Sequence, residues 1–509
     1  MGSLLTPTES TTKPFKPLDP TELIAESSLV TEFIAEYYRT VKNLPVQPPV
    51  RPGFLISLLP NAAPLAPESM ETILHDVNEK IVPGLMQWQS PNFFSYFPAT
   101  CSNAGLLGEM LCSGLNVVGF TWSSSPAAAE LEQVVVDWMG KMFGLPTMFL
   151  FSSGGRGVLH GSTCEAVVCT LAAARDKMLE MVGDDMINKL VVYCSDQTHF
   201  TLEKGAKLIG IRPKNIKAIK TTKSNQYAIC PYNLRNVIES DIESGLIPLF
   251  LCGTIGTTAF GAVDPIRELG IMAKEFNMWF HVDAAYAGSA CICPEFRPYM
   301  DGLELAYSFS TNPHKWLLSN MDCCVLWLKT PEHVIQSLAA DGAFLKGGNE
   351  VVDYKDWQIA LSRRFRAIKL WVVIRRYGVT NLMSHIRSDV SMAKRFEELV
   401  KSDKRFEVVF PRKFSLVCFK LSGKKTLING HQGEEEDGKL SLDSELTRVL
   451  MERVNSTGKA LLSGVTMDSL FFIRCAIGST LTEVQHVDGL WELIQENLKH
   501  IYVDNTKEA

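Results

Sequence analysis

Three side chains in this sequence could together run chemistry on an amine: Lys315, Asp283 and His199. Lys315 closes the stretch Ser308-Phe309-Ser310-Thr311-Asn312-Pro313-His314-Lys315, with Trp316 behind it. Apolar and aromatic surroundings desolvate an ammonium, depress its pKa and leave a nucleophilic neutral amine. Taken alone, the stretch fits a surface lysine as well as a Schiff-base lysine. Asp283 follows an apolar run at 278–282, and Ala284, Ala285, Ala287 and Gly288 after it are small enough to let a flat ring lie close. His199 ends Ser195-Asp196-Gln197-Thr198-His199, again just beyond an apolar run. A lone histidine is more often structural, so its weight depends on its neighbours in space.

A fourth element is the glycine-rich stretch 152–164, SSGGRGVLHGSTC, which leads into a helical pattern from Glu165 to Met181. Backbone N–H groups of such a loop can approach an anion, and a helix N-terminus adds partial positive charge. No Gly-Lys-Ser/Thr follows, which excludes a P-loop, and no G-x-G-x-x-G lies between strand and helix, which excludes a dinucleotide fingerprint. A phosphate cradle, an acid at one strand end, a lysine after the next and a nearby imidazole make the minimal kit for pyridoxal phosphate. The lysine carries the aldehyde, the acid keeps the pyridine nitrogen protonated, and the histidine stacks on the ring.

Such a kit needs a scaffold that brings strand ends together. Apolar runs at 148–151, 190–193, 249–253, 278–282 and 305–310 alternate with helical stretches, the pattern of an α/β domain whose ligands lie beyond the carboxyl ends of parallel strands. Beyond about residue 375 the pattern becomes a smaller α+β segment, with strands expected near 406–410, 416–420 and 471–476 and a last helix near 484–497. Residues 423–443, with the acidic run 434–437, read as a solvated loop. At the other end, residues 1 to about 20 read as a tail, Asp19-Pro20-Thr21-Glu22 as a helix start, 45–52 as a Pro-rich connector and 68–81 as a second helix. Segment 88–98 holds five aromatic residues in eleven, either ordinary packing or a pocket wall for a flat ligand. The expected domains are 1–100 (tail and helical segment), 101–375 (large α/β domain) and 376–509 (small α+β domain).

Composition narrows the function classes. With 46% hydrophobic and 21% charged residues in 509, the chain has ample core, and a net charge of -6 offers no field for nucleic acid or anionic lipid. Thirteen cysteines without framework spacing suit reduced thiols in the cytoplasm, and neither Cys291-x-Cys293 nor Cys323-Cys324 has the partners of a zinc site, so no metal is expected. Met1-Gly2 with Thr6 fits a myristoylation pattern, but no second membrane signal follows. Neither a signal peptide nor a membrane span is expected.

The stretches SPNFFSYFP, SSPAAAELE, SDQTHF, HVDAAYAGSACICPEFR, NPHKWLL and DYKDWQIALSRRFRAIKLW together resemble the plant aromatic amino acid decarboxylases, group II pyridoxal-phosphate decarboxylases, over nearly the whole chain. The resemblance implies a fold-type I enzyme with a mainly parallel central sheet, forming a homodimer in which the N-terminal helices wrap the partner. It implies Lys315 as the cofactor lysine, Asp283 as the pyridinium partner, His199 as the stacking residue and Ala285 beneath the ring. It places Thr258, Asn312 and His314 near cofactor or phosphate, and Ser162, Thr163 and Cys164 in the phosphate loop. Cys164 stands where a serine is usual; the backbone N–H survives that change, but a hydroxyl contact does not. Trp88, Tyr96, Phe97 and Pro98 resemble the substrate wall, joined by Val118 and Phe120 from the other subunit.

Within that family, segment 339–350 corresponds to a mobile catalytic loop, and Phe344 stands where the simple decarboxylases carry tyrosine. Members with phenylalanine there are aromatic acetaldehyde synthases. A tyrosine hydroxyl can deliver the proton that completes an amine; a phenylalanine has none, so the carbanion at Cα survives to meet dioxygen and the products become aldehyde, ammonia and hydrogen peroxide. Tyr354 belongs to the DYKDWQ motif, which occurs with either residue in the loop, and does not replace the missing hydroxyl. Ser362 sits where indole-preferring relatives tend to have glycine, which favours L-tyrosine over the bicyclic tryptophan. An amine-forming tyrosine or DOPA decarboxylase, and a catalytically inactive binding paralogue, are the competing expectations.

Overall fold

The computed structural model describes residues 16–340, 351–422 and 441–507 and divides the chain into two units, Met1–Gln87 and Trp88–Ala509. In the first, helix Pro20–Thr40 begins where Asp19-Pro20 predicts: the Asp19 side chain accepts the Thr21 N–H at 2.9 Å, and Pro20 occupies the first turn, where no N–H is needed. Its Tyr37 hydroxyl donates to Gln87 Oε1 at 2.7 Å. Helix Met70–Asp76, capped by Ser69, continues through a wider turn to Ile81, close to the expected 68–81.

The second unit is organised by a seven-stranded sheet of β1 (Arg156–His160), β2 (Leu190–Ser195), β3 (Ile216–Ile219), β4 (Ile247–Thr254), β5 (Trp279–Asp283), β6 (Ser308–Thr311) and β7 (Cys324–Leu328). Their order is β1-β7-β6-β5-β4-β2-β3, and β7 alone runs against the rest. The carboxyl ends of β1, β2, β4, β5 and β6 therefore share one edge. Burial on both faces explains the near-continuous apolar runs: along β2, Val191 and Tyr193 enter one core cluster while Leu190, Val192 and Cys194 enter the other.

The smaller antiparallel sheet, of β8 (Phe406–Val408), β9 (Leu416–Leu421), β10 (Ser463–Met467) and β11 (Leu470–Ala476), runs β10-β11-β9-β8; helix Leu442–Ser456 lies between β9 and β10 in sequence, and helix Val484–Lys507 follows β11. No helix among the described residues is long and apolar enough to cross a membrane.

Several expected boundaries move. Segment 148–151 is not a strand but the short 3-10 turns Thr147–Phe149 and Phe151–Ser153; the first strand is β1, inside the glycine-rich stretch. Its glycine disguised it: a Cβ at Gly157 would lie 2.3 Å from Val136 Cγ1, so close packing, not looseness, demands glycine there. β3, β7 and β10 had no expected counterpart, and the last helix is longer than 484–497. The insertion ends earlier than predicted, since Ser441 caps helix Leu442–Ser456; residues 423–440 lie outside the described residues.

Candidate active site

Moving β1 into the glycine-rich stretch shortens the anion loop to Gly161 and Ser162, after which helix Thr163–Val182 begins. Ser162 is the N-cap, yet its hydroxyl makes no capping bond; the Glu165 and Ala166 N–H groups donate to the Ser162 carbonyl at 3.1 and 3.3 Å, which leaves the Thr163 and Cys164 N–H groups at the open end of the helix. Both remain available to an anion, with the dipole of a twenty-residue helix behind them.

The same sheet edge supplies the other parts. Asp283 is the last residue of β5, and its Oδ1 accepts the Ala285 N–H at 2.9 Å, which holds the carboxylate at the strand end. Beyond the strands the backbone ladder continues, from Ala284 N–H to the Ser310 carbonyl at 2.9 Å and from Asn312 N–H to the Ala285 carbonyl at 3.1 Å. Those bonds tie the aspartate turn to the short helix Pro313–Trp316 that carries Lys315. Thr163 then donates its hydroxyl to Asn312 Oδ1 at 2.9 Å, joining the anion cradle to the lysine turn.

Desolvation lowers the Lys315 pKa, and the Asp283 charge opposes that shift only in part; the amine is nearer neutrality than a free lysine, as a nucleophile requires. His199 is also shifted down, by burial first and the Lys315 charge second. Its Nδ1 receives the Thr201 N–H at 3.2 Å, and a backbone N–H can only donate, so the ring proton sits on Nε2. The Thr201 hydroxyl is 2.7 Å from the same Nδ1 and 3.3 Å from Cys164 Sγ; the cysteine thus reaches a hydroxyl that in turn supports the histidine.

One cavity of about 250 Å³ brings together Phe97, Ser162, Thr163, Cys164, His199, Thr258, Asp283, Ala285, Asn312 and Lys315, ten of the residues nominated from sequence. Lys315 Nζ lies 5.9 Å from the Phe97 ring centroid, and Phe97, Tyr286 and Trp316 stack in a column with centroid spacings of 3.6 and 4.8 Å. Thr201, Thr254, Gly256, Thr257 and Tyr286 also line the cavity and were not foreseen. Thr254 is the last residue of β4, so the strand-end rule would have found it; the others are of types too common to stand out.

Other nominated residues lie elsewhere. His314 is buried and does not line this cavity: its Nδ1 sits 2.6 Å from the Cys323 carbonyl oxygen, and desolvation holds it neutral, with a pKa lowered to about 4. Trp88 and Tyr96 stack on each other at 5.6 Å and are exposed, Tyr96 at 52% with a positive φ of 52°, whereas Pro98 is buried. Val118 and Ser362 meet in a separate cavity of about 640 Å³ that also includes Asn116, Arg364 and Phe365; Phe120 lines neither. Arg363 precedes the helix Arg366–Ser402 and forms a buried two-pronged pair with Glu132 at 2.9 and 2.8 Å. Glu132 also accepts the Leu159 N–H at 2.8 Å, so this pair locks the segment carrying Ser362 to β1. Phe344 lies outside the described residues.

The cavity fits pyridoxal phosphate: an amine, a carboxylate for the pyridine nitrogen and an anion cradle share one edge, and Thr254 Oγ1, buried in the same wall, has no partner among the described residues. A model described as the pyridoxal-dependent decarboxylase conserved domain matches residues 52–422. The chain is 67% identical to 4-hydroxyphenylacetaldehyde synthase of Rhodiola rosea over 98% of its own length and 100% of that protein, and 55% identical to tyrosine decarboxylase 4 of Petroselinum crispum over 95% and 94%. The crystal structure of the Rhodiola rosea synthase superimposes with a TM-score of 0.90 at 66% identity, covering 96% of this chain and 100% of that one. Strand-end chemistry, fold and sequence agree: the chain belongs to the pyridoxal-dependent decarboxylase family, and its cofactor is pyridoxal 5'-phosphate.

Proposed function

We propose that the protein is an aromatic acetaldehyde synthase that takes L-tyrosine, dioxygen and water to 4-hydroxyphenylacetaldehyde, carbon dioxide, ammonia and hydrogen peroxide. The observation that carries this reading is Phe344 in the segment that corresponds to the catalytic loop, and the similarity to the Rhodiola rosea synthase supports it.

Pyridoxal phosphate, when bound, supplies the aldehyde that joins the amino group and the ring that accepts the electron pair left by departing carbon dioxide. The chain's residues do the rest. Lys315, its pKa lowered by burial, would hold the aldehyde, Asp283 would keep a proton at the pyridine nitrogen, His199 would stack on the ring with its own proton on Nε2, and the Ser162–Cys164 turn would bind the phosphate. Phe344 has no proton for the substrate Cα, which leaves that carbon open to dioxygen. Tyr354 offers no replacement: it is fully buried, its hydroxyl has no partner among the described residues, and its ring lies under the Arg363 guanidinium at 4.5 Å.

The working unit in this reading is a cytoplasmic homodimer with shared sites, the N-terminal helices wrapping the partner. Exposed apolar residues support it: Leu107, Leu111 and Leu115 on helix Asn103–Leu115, and Val118 after it, are unburied in the single chain. Val118 and Phe120 then complete the substrate wall of the other subunit, beside Trp88, Tyr96 and Phe97. Bulk at Ser362 favours a single ring over an indole.

Product analysis with tyrosine tests the proposal. Aldehyde and peroxide should appear with stoichiometric oxygen uptake, and Phe344→Tyr should shift the product to tyramine. Tyramine from the native enzyme without oxygen uptake would overturn the assignment in favour of an amine-forming decarboxylase.

A further inference from the structure

The cofactor chemistry above uses no carboxylate but Asp283, yet a second one sits against the anion cradle. Glu165 lies in the first turn of helix Thr163–Val182. Its Oε2 accepts the Gly161 N–H at 3.0 Å, and its Oε1 lies 3.3 Å from Nδ1 of His160, the fully buried last residue of β1. That second contact is not aligned as a hydrogen bond, and both ring nitrogens of His160 lack hydrogen-bond partners among the described residues. Burial alone would raise the Glu165 pKa, but His160, the Gly161 N–H and the charge of Arg366 outweigh it and hold the group at about 2, so it is ionised throughout the working range.

The turn also meets an ion pair. A Cβ on Gly161 would lie 2.7 Å from Asp322 Oδ2 and 3.3 Å from Arg366 Nη2, and those two side chains are joined at 3.1 and 2.9 Å. Gly161 is thus held between a carboxylate that takes its N–H and an ion pair that leaves it no side chain. A negative charge beside a phosphate opposes phosphate binding, so Glu165 is costly there unless its geometry compensates.

We propose that Glu165 is the positioning residue of the phosphate cradle: by drawing the Gly161 N–H inward it sets the Gly161–Ser162 turn so that the free donors of Ser162, Thr163 and Cys164 face the anion. This rests on the assignment of those three residues as the cradle. Its signature is selective, because a cradle defect weakens the hold on phosphate and spares the hold on the aldehyde.

The test is equilibrium binding of pyridoxal phosphate and of phosphate-free pyridoxal to the full-length chain, read by the visible absorbance that follows binding at Lys315. Glu165→Ala should weaken pyridoxal phosphate about tenfold or more and leave pyridoxal within about twofold. Glu165→Gln, which keeps an acceptor for the Gly161 N–H and removes the charge, should stay within about threefold of the native protein. Glu165→Asp, which retracts the acceptor, should fall between them and serves if the alanine variant does not fold. Equal loss of both ligands, no loss of either, or a glutamine variant as weak as the alanine one would overturn the inference. Ser162→Asp, which puts a like charge in the cradle, separates the two layers of the argument. If it leaves the preference for pyridoxal phosphate over pyridoxal intact, the cradle assignment itself fails; if it erodes that preference while Glu165→Ala does not, only the role of Glu165 falls.

Discussion

The floor of the candidate active site and its proposed rim are built differently. Asp283, Asn312 and Thr163 on the floor are buried and joined through strand-end and side-chain hydrogen bonds within one chain. On the rim, Trp88, Tyr96 and Val118 are exposed, and Val118 and Ser362 line a cavity separate from the one that holds Lys315. The floor residues come from one polypeptide and are mutually bonded, as fixed donors at fixed distances favour. The rim residues make no such network with them, which suits the proposed dimer, where specificity can vary without disturbing the cofactor.

The largest effect should come from breaking the floor. Lys315→Ala should abolish the visible absorbance of the bound cofactor and lower turnover at least about a thousandfold for every amino acid tested; retention of that absorbance would mean another group holds the aldehyde. Altering the rim should change choice, not chemistry. Ser362→Gly should raise kcat/KM for tryptophan relative to tyrosine about tenfold while the absorbance stays native, a ratio that competition assays read directly. An unchanged ratio would remove Ser362 from the specificity wall.

The smallest effect is on stability, and it again separates floor from rim. His281 lies two residues before Asp283 on β5, fully buried, its Nδ1 2.8 Å from Ser308 Oγ. Desolvation depresses its pKa from 6.5 to about 4, against the opposing pull of Asp283. A group so shifted binds its proton more readily in the unfolded chain, so the stability it confers is present above about pH 6.5 and is lost as the pH falls toward about 4, amounting to at most about 3 kcal/mol. Thermal unfolding should therefore fall steeply over that window, and the slope should flatten in His281→Gln. An unaltered slope would place the acid sensitivity elsewhere, for instance at the similarly shifted His314.

Legibility followed chemistry more than structure. Lys315, Asp283 and His199 stood out because few residue types can do their work and each follows an apolar strand. Tyr286 did not, since a tyrosine after a strand has many ordinary roles, and Thr254 could have been found only by its place at the end of β4. β1 was hidden because its glycine, Gly157, answers to close neighbours such as Val136, which no local pattern reveals. His314 carries the right spacing yet its Nδ1 faces the Cys323 carbonyl, and it is not among the residues that line the cavity.

By itself, the sequence determined the cofactor, through residue types with no substitutes, and it supports an aldehyde product through Phe344, since a side chain without an acidic hydrogen cannot protonate carbon in any conformation. Only the tertiary structure decided which residues share the cavity, why Gly161 must be glycine, and where Glu165 acts. Those are matters of distance between segments remote in the chain, and a distance set by packing β1 against β7 and Gly161 against Arg366 has no local signature.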